Sequence, residues 1–219
     1  MNELWSLLLQ GTWITIQVTV LAAALAVVVA VPAAVARMSP QRGLRWIATA
    51  YIEVFRGTSL LVQLFWLFFV LPLPPFNVEL TPFTVAVVGL GLHVGAYGAE
   101  LLRGAFAAVP RGQREAAIAL SLPPLQRFMR IVLPQALINA IPPGTNLLIE
   151  LLKLTSLVSL ITLADLSFSA NELVQATFRN GEIFMLTLLL YFVLAQAINF
   201  GMRRLEHRVG RGVLHGALR

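Results

Sequence analysis

The sequence of 219 residues has no cysteine and little charge. The lack of cysteine excludes disulfides, thiolate metal sites and a cysteine nucleophile, and the three histidines are too far apart to give metal-ligand spacing. Charged residues make up 12% and hydrophobic residues 58% of the chain, against about 25% and 45–50% in soluble domains. With a mean hydropathy of +0.81, this composition excludes a disordered chain and a soluble globular enzyme. It predicts an all-α integral membrane protein.

Lysine is nearly absent as well, since the basic residues are 15 arginines and one lysine. They lie between apolar runs, an arrangement that orients membrane proteins, and no basic strip alternates with aromatic residues as in a nucleic-acid reader. We therefore expect membrane lipid as a partner and no nucleic acid. With five spans and the N-terminus outside, 14 of the 16 basic residues face the cytoplasm: Arg37, Arg42, Arg45, Arg56, Arg103, Arg111, Arg114, Arg127, Arg130, Arg203, Arg204, Arg208, Arg211 and Arg219. The predicted topology is N-out and C-in.

The apolar runs predict about five spans within a transmembrane domain of residues 12–205. The spans are 12–36, 52–71, 82–102, 134–164 and 183–202, between an extracytoplasmic N-terminus (1–11) and a basic cytoplasmic tail (206–219). The fourth run has about 31 residues and would be about 46 Å long as one helix, longer than the bilayer core of about 30 Å. Pro142-Pro143-Gly144 interrupt it, so we expect this span to be bent or broken.

The segment between the third and fourth spans is too rich in arginine to cross lipid. It predicts a short cytoplasmic helix at about 112–122, with Glu115 in the first turn, where the helix dipole favours a carboxylate. Ala116 and Ala117 give this helix a small-residue surface that another protein can approach closely. From the residues alone, a docking helix and a solvated or interfacial loop helix are about equally supported.

Glu115-Ala116-Ala117, followed by Ile131-x-Leu133-Pro134, resembles the EAA motif of binding-protein-dependent ABC importer permeases. The family pattern is Glu-Ala-Ala, three residues, Gly, nine residues and Ile-x-Leu-Pro, and the spacing fits throughout. Ser121 stands where the family usually has Gly. Because serine is small, docking should survive this change, but a loop that requires a positive φ there would be strained.

Other segments over roughly residues 10–205 resemble the polar amino-acid subgroup of that family. They are Gly11-Thr12-x-x-Thr15, Glu53 to Gln63 with Ser59 in place of the usual Pro, Tyr97-x-Ala-Glu-x-x-Arg-Gly104, Val109-Pro-x-Gly-Gln113, Leu133-Pro-Gln-Ala136 and Lys153-x-Thr-Ser-Leu157. One such match would be weak, whereas six in order with consistent spacing are specific.

The resemblance implies a type I ABC importer transmembrane fold that works with a second permease copy or a sister permease. It also implies that the 112–122 helix is the coupling helix on an ATP-binding subunit dimer, with Gly112, Glu115, Ala116, Ala117 and Ser121 as its coupling residues. An extracytoplasmic substrate-binding protein would deliver substrate at the bacterial inner membrane. The chain has no G-x-x-x-x-G-K-[ST] loop. We therefore expect a non-enzymatic subunit that binds no cofactor or metal, with ATP and Mg on the partner ATPase.

Polar residues within apolar runs are the candidates for a substrate pathway, because they are costly in lipid. They are His93, Glu150, Lys153, Thr155 and Ser156. Glu150 and Lys153 are three residues apart and share a helix face. They mark a pathway or gate site near a zwitterionic substrate, or else they form a mutual ion pair or lie at the membrane interface. Thr155 and Ser156 line the same route or pack between helices, and His93 is a substrate contact or a packing residue.

Glu100 and Arg103 are also three residues apart, and we expect a structural ion pair there. The resemblance implies a polar amino acid or a compatible solute such as ectoine as substrate. The alternative function is a stand-alone ion-coupled carrier or channel for small zwitterions, although no inverted repeat of the kind found in such carriers is visible. No Ser/His or paired-Asp constellation supports an intramembrane enzyme.

Overall fold

A computed structural model describes residues 2–216, and side chains are described for residues 5–209. The regular structure in this part of the chain is helical. Its elements are α1 (Asn2–Met38), α2 (Arg42–Gly57), α3 (Leu60–Phe65) continued by a π-helical turn (Trp66–Val70), α4 (Pro82–Ala107), α5 (Arg111–Ala119), α6 (Pro124–Arg127) continued by a π-helical turn (Phe128–Val132), α7 (Leu133–Leu154) continued by a 3₁₀ helix (Thr155–Ile161), α8 (Leu166–Thr177) and α9 (Asn180–Gly216).

The number of spans agrees with the sequence. In the described part of the chain, four segments are long and apolar enough to cross a bilayer, and the bent pair Arg42–Gly57 with Leu60–Val70 makes a fifth if it forms one span. The four are Trp5–Met38, Pro82–Ala107, Pro124–Ile161 and Asn180–Val209. This confirms the predicted all-α membrane fold of about five spans.

The centre of the subunit is the close contact between α1 and α4. Buried alanines recur every fourth residue along α1, at Ala22, Ala26, Ala30 and Ala34, and so form a stripe of small side chains. A Cβ atom on Gly91 of α4 would lie 2.7 Å from Leu25 Cδ2. Small residues on both helices therefore allow the close approach on which helix packing in lipid depends.

The second predicted span, 52–71, is wrong as a single helix. The structure has α2 beginning at Arg42, followed by a bend of 103° before the segment from Leu60 to Val70. Thr58 is extended, with φ −118° and ψ 154°, and so ends α2. The amide of Gln63 then satisfies carbonyl groups that the break leaves unpaired.

The fourth span is not broken at its prolines, since α7 continues through Pro142 and Pro143, while the bend that the sequence allowed as the alternative stays a prediction. Proline has a helical φ, but inside a helix it removes one N–H donor and crowds the carbonyl group of residue i−4. Transmembrane helices tolerate this because neighbouring groups can satisfy the freed carbonyl. The irregular turns lie instead at the two ends of α7, in the π-helical and 3₁₀ segments.

The last helix is longer than the predicted fifth span. α9 has 37 residues and a length of about 55 Å, so it extends well past a bilayer core of about 30 Å. It includes most of the predicted basic tail, while residues 217–219 and Met1 lie outside the described residues. Residues 165–182, predicted as a connection, contain α8.

Candidate functional site

The predicted coupling segment forms the short helix α5, which starts after Pro110 and ends at Ala119. Gly112, Glu115 and Ala116 are exposed. Ala117 is 1% exposed, so it faces its own chain and is not on the surface available to a partner. Spacing alone did not distinguish these two faces of the helix.

The end of α5 places the serine of the motif in a backbone conformation that favours glycine. Ser121 has a φ of 54°, the left-handed conformation that favours glycine. Its N–H donates to Ile118 O at 2.8 Å, and the N–H of Leu122 donates to Ala117 O at 3.2 Å. These two bonds form a Schellman cap, so the position requires the positive φ that makes serine strained.

Two contacts hold α5 against the end of α4. The Arg114 guanidinium donates to Phe106 O at 2.7 Å, and the Phe106 ring stacks on Phe128 with centroids 5.8 Å apart. Ile118 near the end of α5 and Leu120 just after it expose large apolar side chains. Larger apolar patches of this kind occur where a protein partner or a membrane is contacted.

A second candidate site is a polar face on α7, inside the Pro124–Ile161 span. Asn146, Glu150 and Lys153 are exposed, and with Ile149 they border an open cavity of about 420 Å³. In the part of the chain with described side chains, Glu150 and Lys153 make no ion pair with each other or with a third group. Both charges are therefore available to a ligand.

Lys153 also borders a neighbouring cavity of about 310 Å³ between α7 and α9. Tyr191, Gln196 and Asn199 of α9 line it. The sequence analysis did not single out these polar residues, because only the packing of α9 against α7 brings them near Lys153.

The other predicted pathway residues lie elsewhere. Thr155 is fully buried, and its hydroxyl donates to Leu152 O at 2.7 Å. Ser156 is partly exposed, and its hydroxyl donates to Lys153 O at 2.8 Å. His93 is 8% exposed inside the subunit. Of the five predicted residues, the structure thus places Glu150 and Lys153 at an open cavity.

His93 belongs to a hydrogen-bonded corner between α2, α3 and α4. Gln63 Nε2 donates to Phe55 O at 3.0 Å and to Thr58 Oγ1 at 2.7 Å. Its Oε1 lies 3.1 Å from His93 Nδ1. Because an amide oxygen only accepts, this geometry places a proton on Nδ1. The corner is internally satisfied, and its role is to hold the bend.

Glu100 and Arg103 are in direct contact, with Arg103 Nε 2.7 Å from Glu100 Oε1. Arg56 lies nearby on the same side of α4, over the Tyr97 ring at 5.3 Å. The pair thus lies near the contact between α2 and α4. Its two charges neutralise each other, as expected for a structural ion pair.

A buried carboxylate that the sequence analysis missed caps α8. Asp165 is fully buried and accepts a hydrogen bond from Phe168 N at 2.9 Å and one from the Tyr191 hydroxyl at 3.4 Å. Burial raises the pKa of Asp165 to about 6, because its effect is larger than that of the hydrogen bonds, which lower the pKa. The Thr15 hydroxyl accepts from Leu166 N at 3.1 Å, so the cap joins α1, α8 and α9. In sequence the only signal was Asp165 ahead of a helix-forming run.

Among residues 5–209, no group of three His, Asp or Glu side chains is placed to hold a metal ion. At the α7 face, an ammonium and a carboxylate can bind the opposite charges of a small zwitterion, and at α5, an exposed helix can dock a protein.

Comparison with known proteins gives a consistent result over nearly the whole chain. Residues 22–211 match the family described as binding-protein-dependent transport system inner membrane component. A probable amino-acid ABC transporter permease of Sinorhizobium fredii is 42% identical over 206 residues, covering 92% of this chain and 87% of its own length. The L-cystine transport system permease TcyB of Bacillus subtilis is 37% identical over 216 residues, with coverages of 97% and 90%.

A solved structure described as an amino acid ABC transporter with histidines is 32% identical. Its superposition has a TM-score of 0.87 and covers 95% of this chain and 96% of that chain. Sequence and structure therefore point to the same group of proteins.

Proposed function

The chain belongs to the family of binding-protein-dependent transport system inner membrane components, and from this premise we propose that it forms the translocation pathway of an ATP-driven amino-acid importer. It is a multi-pass ABC transporter permease subunit of the inner membrane. ATP hydrolysis belongs to a separate ATP-binding subunit dimer, and an extracytoplasmic binding protein delivers the substrate. The family match does not favour the alternative of a stand-alone carrier.

The observation that carries this proposal is the unpaired polar face of α7. Asn146, Glu150 and Lys153 are exposed in a segment apolar enough to span a bilayer. Charged side chains facing lipid are costly, so such faces line water-filled cavities or contact partners. A second permease opposite α7 would enclose this face and create a pathway between the two subunits.

The charges on this face fit the backbone groups of an amino acid. The Lys153 ammonium would bind the substrate α-carboxylate, and Glu150, one helical turn away, would bind the α-ammonium. Gln196 and Asn199 at the neighbouring cavity supply neutral donors and acceptors for a side chain. The relatives described above are named for amino acids, and they give the ectoine expectation no support.

Coupling to ATP hydrolysis is assigned to α5. Its exposed surface, with Gly112, Glu115 and Ala116, would dock on the ATP-binding subunit. Ala117 and Ser121 have a different role. Ala117 is buried within its own subunit, and Ser121 forms the C-terminal cap of α5. Both therefore position the helix instead of contacting the partner.

Substrate uptake by the complete importer in vesicles tests this assignment. In Glu115→Lys, a cation replaces the exposed carboxylate of α5, and we expect uptake and substrate-stimulated ATP hydrolysis to fall at least about tenfold. Glu206→Lys, the same charge change at an exposed site on α9, serves as control and should change uptake less than about twofold. Normal uptake by Glu115→Lys at normal membrane abundance would remove the coupling role.

A further inference from the structure

A cavity of about 380 Å³ lies behind the coupling helix, on the side of α5 opposite its exposed surface. It is bordered by Met38 at the end of α1, Phe106 near the end of α4, Ala117 of α5, and Phe128 and Ile131 in the turn before α7. The cavity therefore touches each element that connects α5 to the membrane spans.

Its position corresponds to the edge of the bilayer. Three candidate spans have their ends there, at Met38, at Ala107 and at Pro124. By the predicted topology, this is the cytoplasmic leaflet. The Phe106–Phe128 stack borders the cavity, and aromatic residues are enriched where spans meet the headgroup region.

The cavity combines apolar walls with positive charge. Met38 and Phe128 are each 42% exposed, so apolar surface is open to a ligand. Arg114 and Arg127 are both lining residues, and none of the residues lining the cavity is acidic. Arg114 uses one guanidinium nitrogen for Phe106 O. The Arg127 guanidinium forms no hydrogen bond or ion pair with the residues whose side chains are described.

We propose that this cavity binds an anionic phospholipid of the cytoplasmic leaflet. The phosphodiester group would lie on Arg127 and the free edge of Arg114, because guanidinium groups bind phosphate oxygens in pairs. The first methylenes of an acyl chain would lie against Met38 and Ile131. Basic cavities between span ends on this side are suited to anionic headgroups.

A bound lipid would connect α5 to the ends of α1 and α4 through one molecule. The Arg114 guanidinium reaches back to Phe106 O, and Glu115 and Ala116 remain exposed for the ATP-binding subunit. The lipid site and the ATPase-docking surface thus lie on opposite sides of the same helix.

Native mass spectrometry of the purified, intact complex tests this proposal directly. Phosphatidylglycerol and phosphatidylcholine with identical chains are titrated in parallel, and we expect a phosphatidylglycerol adduct that is at least about fivefold more abundant. Arg127→Gln should reduce that adduct at least about fivefold. Arg130→Gln removes an exposed arginine of the same turn that does not line the cavity, and it should leave the adduct unchanged.

A second variant separates loss of the site from loss of the fold. Arg127→Lys keeps the charge but not the paired geometry, so its adduct should fall between those of the parent and Arg127→Gln. Equal binding of the two lipids, or equal losses in Arg127→Gln and Arg130→Gln, would overturn the proposal. So would an Arg127→Gln complex that keeps its lipid but loses the ATP-binding subunit, since the cavity would then serve the protein partner. The readout is lipid binding and does not depend on the transport assignment.

Discussion

The corner between α2 and α3 and the outer face of α7 both place polar side chains within membrane-spanning segments, yet their hydrogen bonding is opposite. At the corner, Gln63 donates to α2 and accepts from His93. On α7, Glu150 and Lys153 are exposed and do not pair with each other. The difference teaches that polarity within a span does not by itself indicate a functional site. A satisfied group stabilises the fold, whereas an exposed, unsatisfied group can bind a ligand.

The contrast between the corner and the α7 face is tested most directly by substituting Lys153. Lys153→Met removes the only ammonium of the α7 face, and the described side chains make no hydrogen bond or ion pair to it. Hydrogen bonds to a charged group contribute about 1.5–3 kcal/mol, so uptake at low substrate concentration should fall about ten- to hundredfold. The thermal unfolding midpoint should not change. Lys153→Arg, which keeps the charge, is the control, and an unchanged apparent affinity in Lys153→Met would place Lys153 outside the pathway.

Asp165 belongs with the satisfied groups and adds a pH dependence. Its pKa is raised from 3.8 to about 6 by burial, so the folded state favours the protonated carboxyl. The resulting stability is complete below pH 4 and is lost as the pH rises through about 6, by at most about 3 kcal/mol.

Asp165→Asn keeps the cap acceptor and cannot ionise. The unfolding midpoint of the parent should fall between pH 4 and pH 7, and that of Asp165→Asn should fall less. Parallel curves for the two proteins would show that the burial of Asp165 has no effect on stability.

Removing the bridging amide of the corner should cost stability and not affinity. Gln63→Leu leaves Phe55 O, Thr58 Oγ1 and His93 Nδ1 without this partner, at a cost of about 1–3 kcal/mol. The purified protein should unfold at lower temperature, while the molecules that remain folded should keep their apparent substrate affinity. Gln126→Leu, at an exposed position, is the control. A loss of substrate affinity in Gln63→Leu without a loss of stability would show that the corner takes part in substrate binding.

The smallest effect is expected at Ser121, where the backbone and not a polar group is strained. Ser121→Gly suits the φ of 54° and should raise the unfolding midpoint by the equivalent of about 1 kcal/mol or less. Ser59→Gly, at an exposed serine with φ −69°, should bring no gain. A lower midpoint in Ser121→Gly would contradict the strain at this cap.

The sequence predicted the elements that depend on long apolar runs. The span expected at 82–102 is α4, Pro82–Ala107, and the helix expected at about 112–122 is α5, Arg111–Ala119. These features depend on local composition and on residues a few positions apart. The number of spans followed from the apolar runs, whereas the family came from the resemblance of the motifs.

The sequence could not predict features that depend on distant contacts. Gln63 and His93 are 30 residues apart, and Leu166 meets Thr15 across 151 residues, so no local pattern marks either pair. The inward direction of Ala117 depends on how α5 packs against the span ends. Pro142 and Pro143 predicted a break, but the helical φ of proline allowed α7 to continue.

The absence of cysteine provides the most direct test of the α7 face. A cysteine at Asn146 would be the only thiol of this chain, and Val28→Cys, on the apolar exposed face of α1, is the matched control. In membranes containing the complete importer, a water-soluble thiol reagent should label Asn146→Cys, an amino-acid substrate should protect it, and Val28→Cys should remain unlabelled. An unlabelled Asn146→Cys, or equal labelling of both positions, would contradict the account that α7 lines an aqueous pathway.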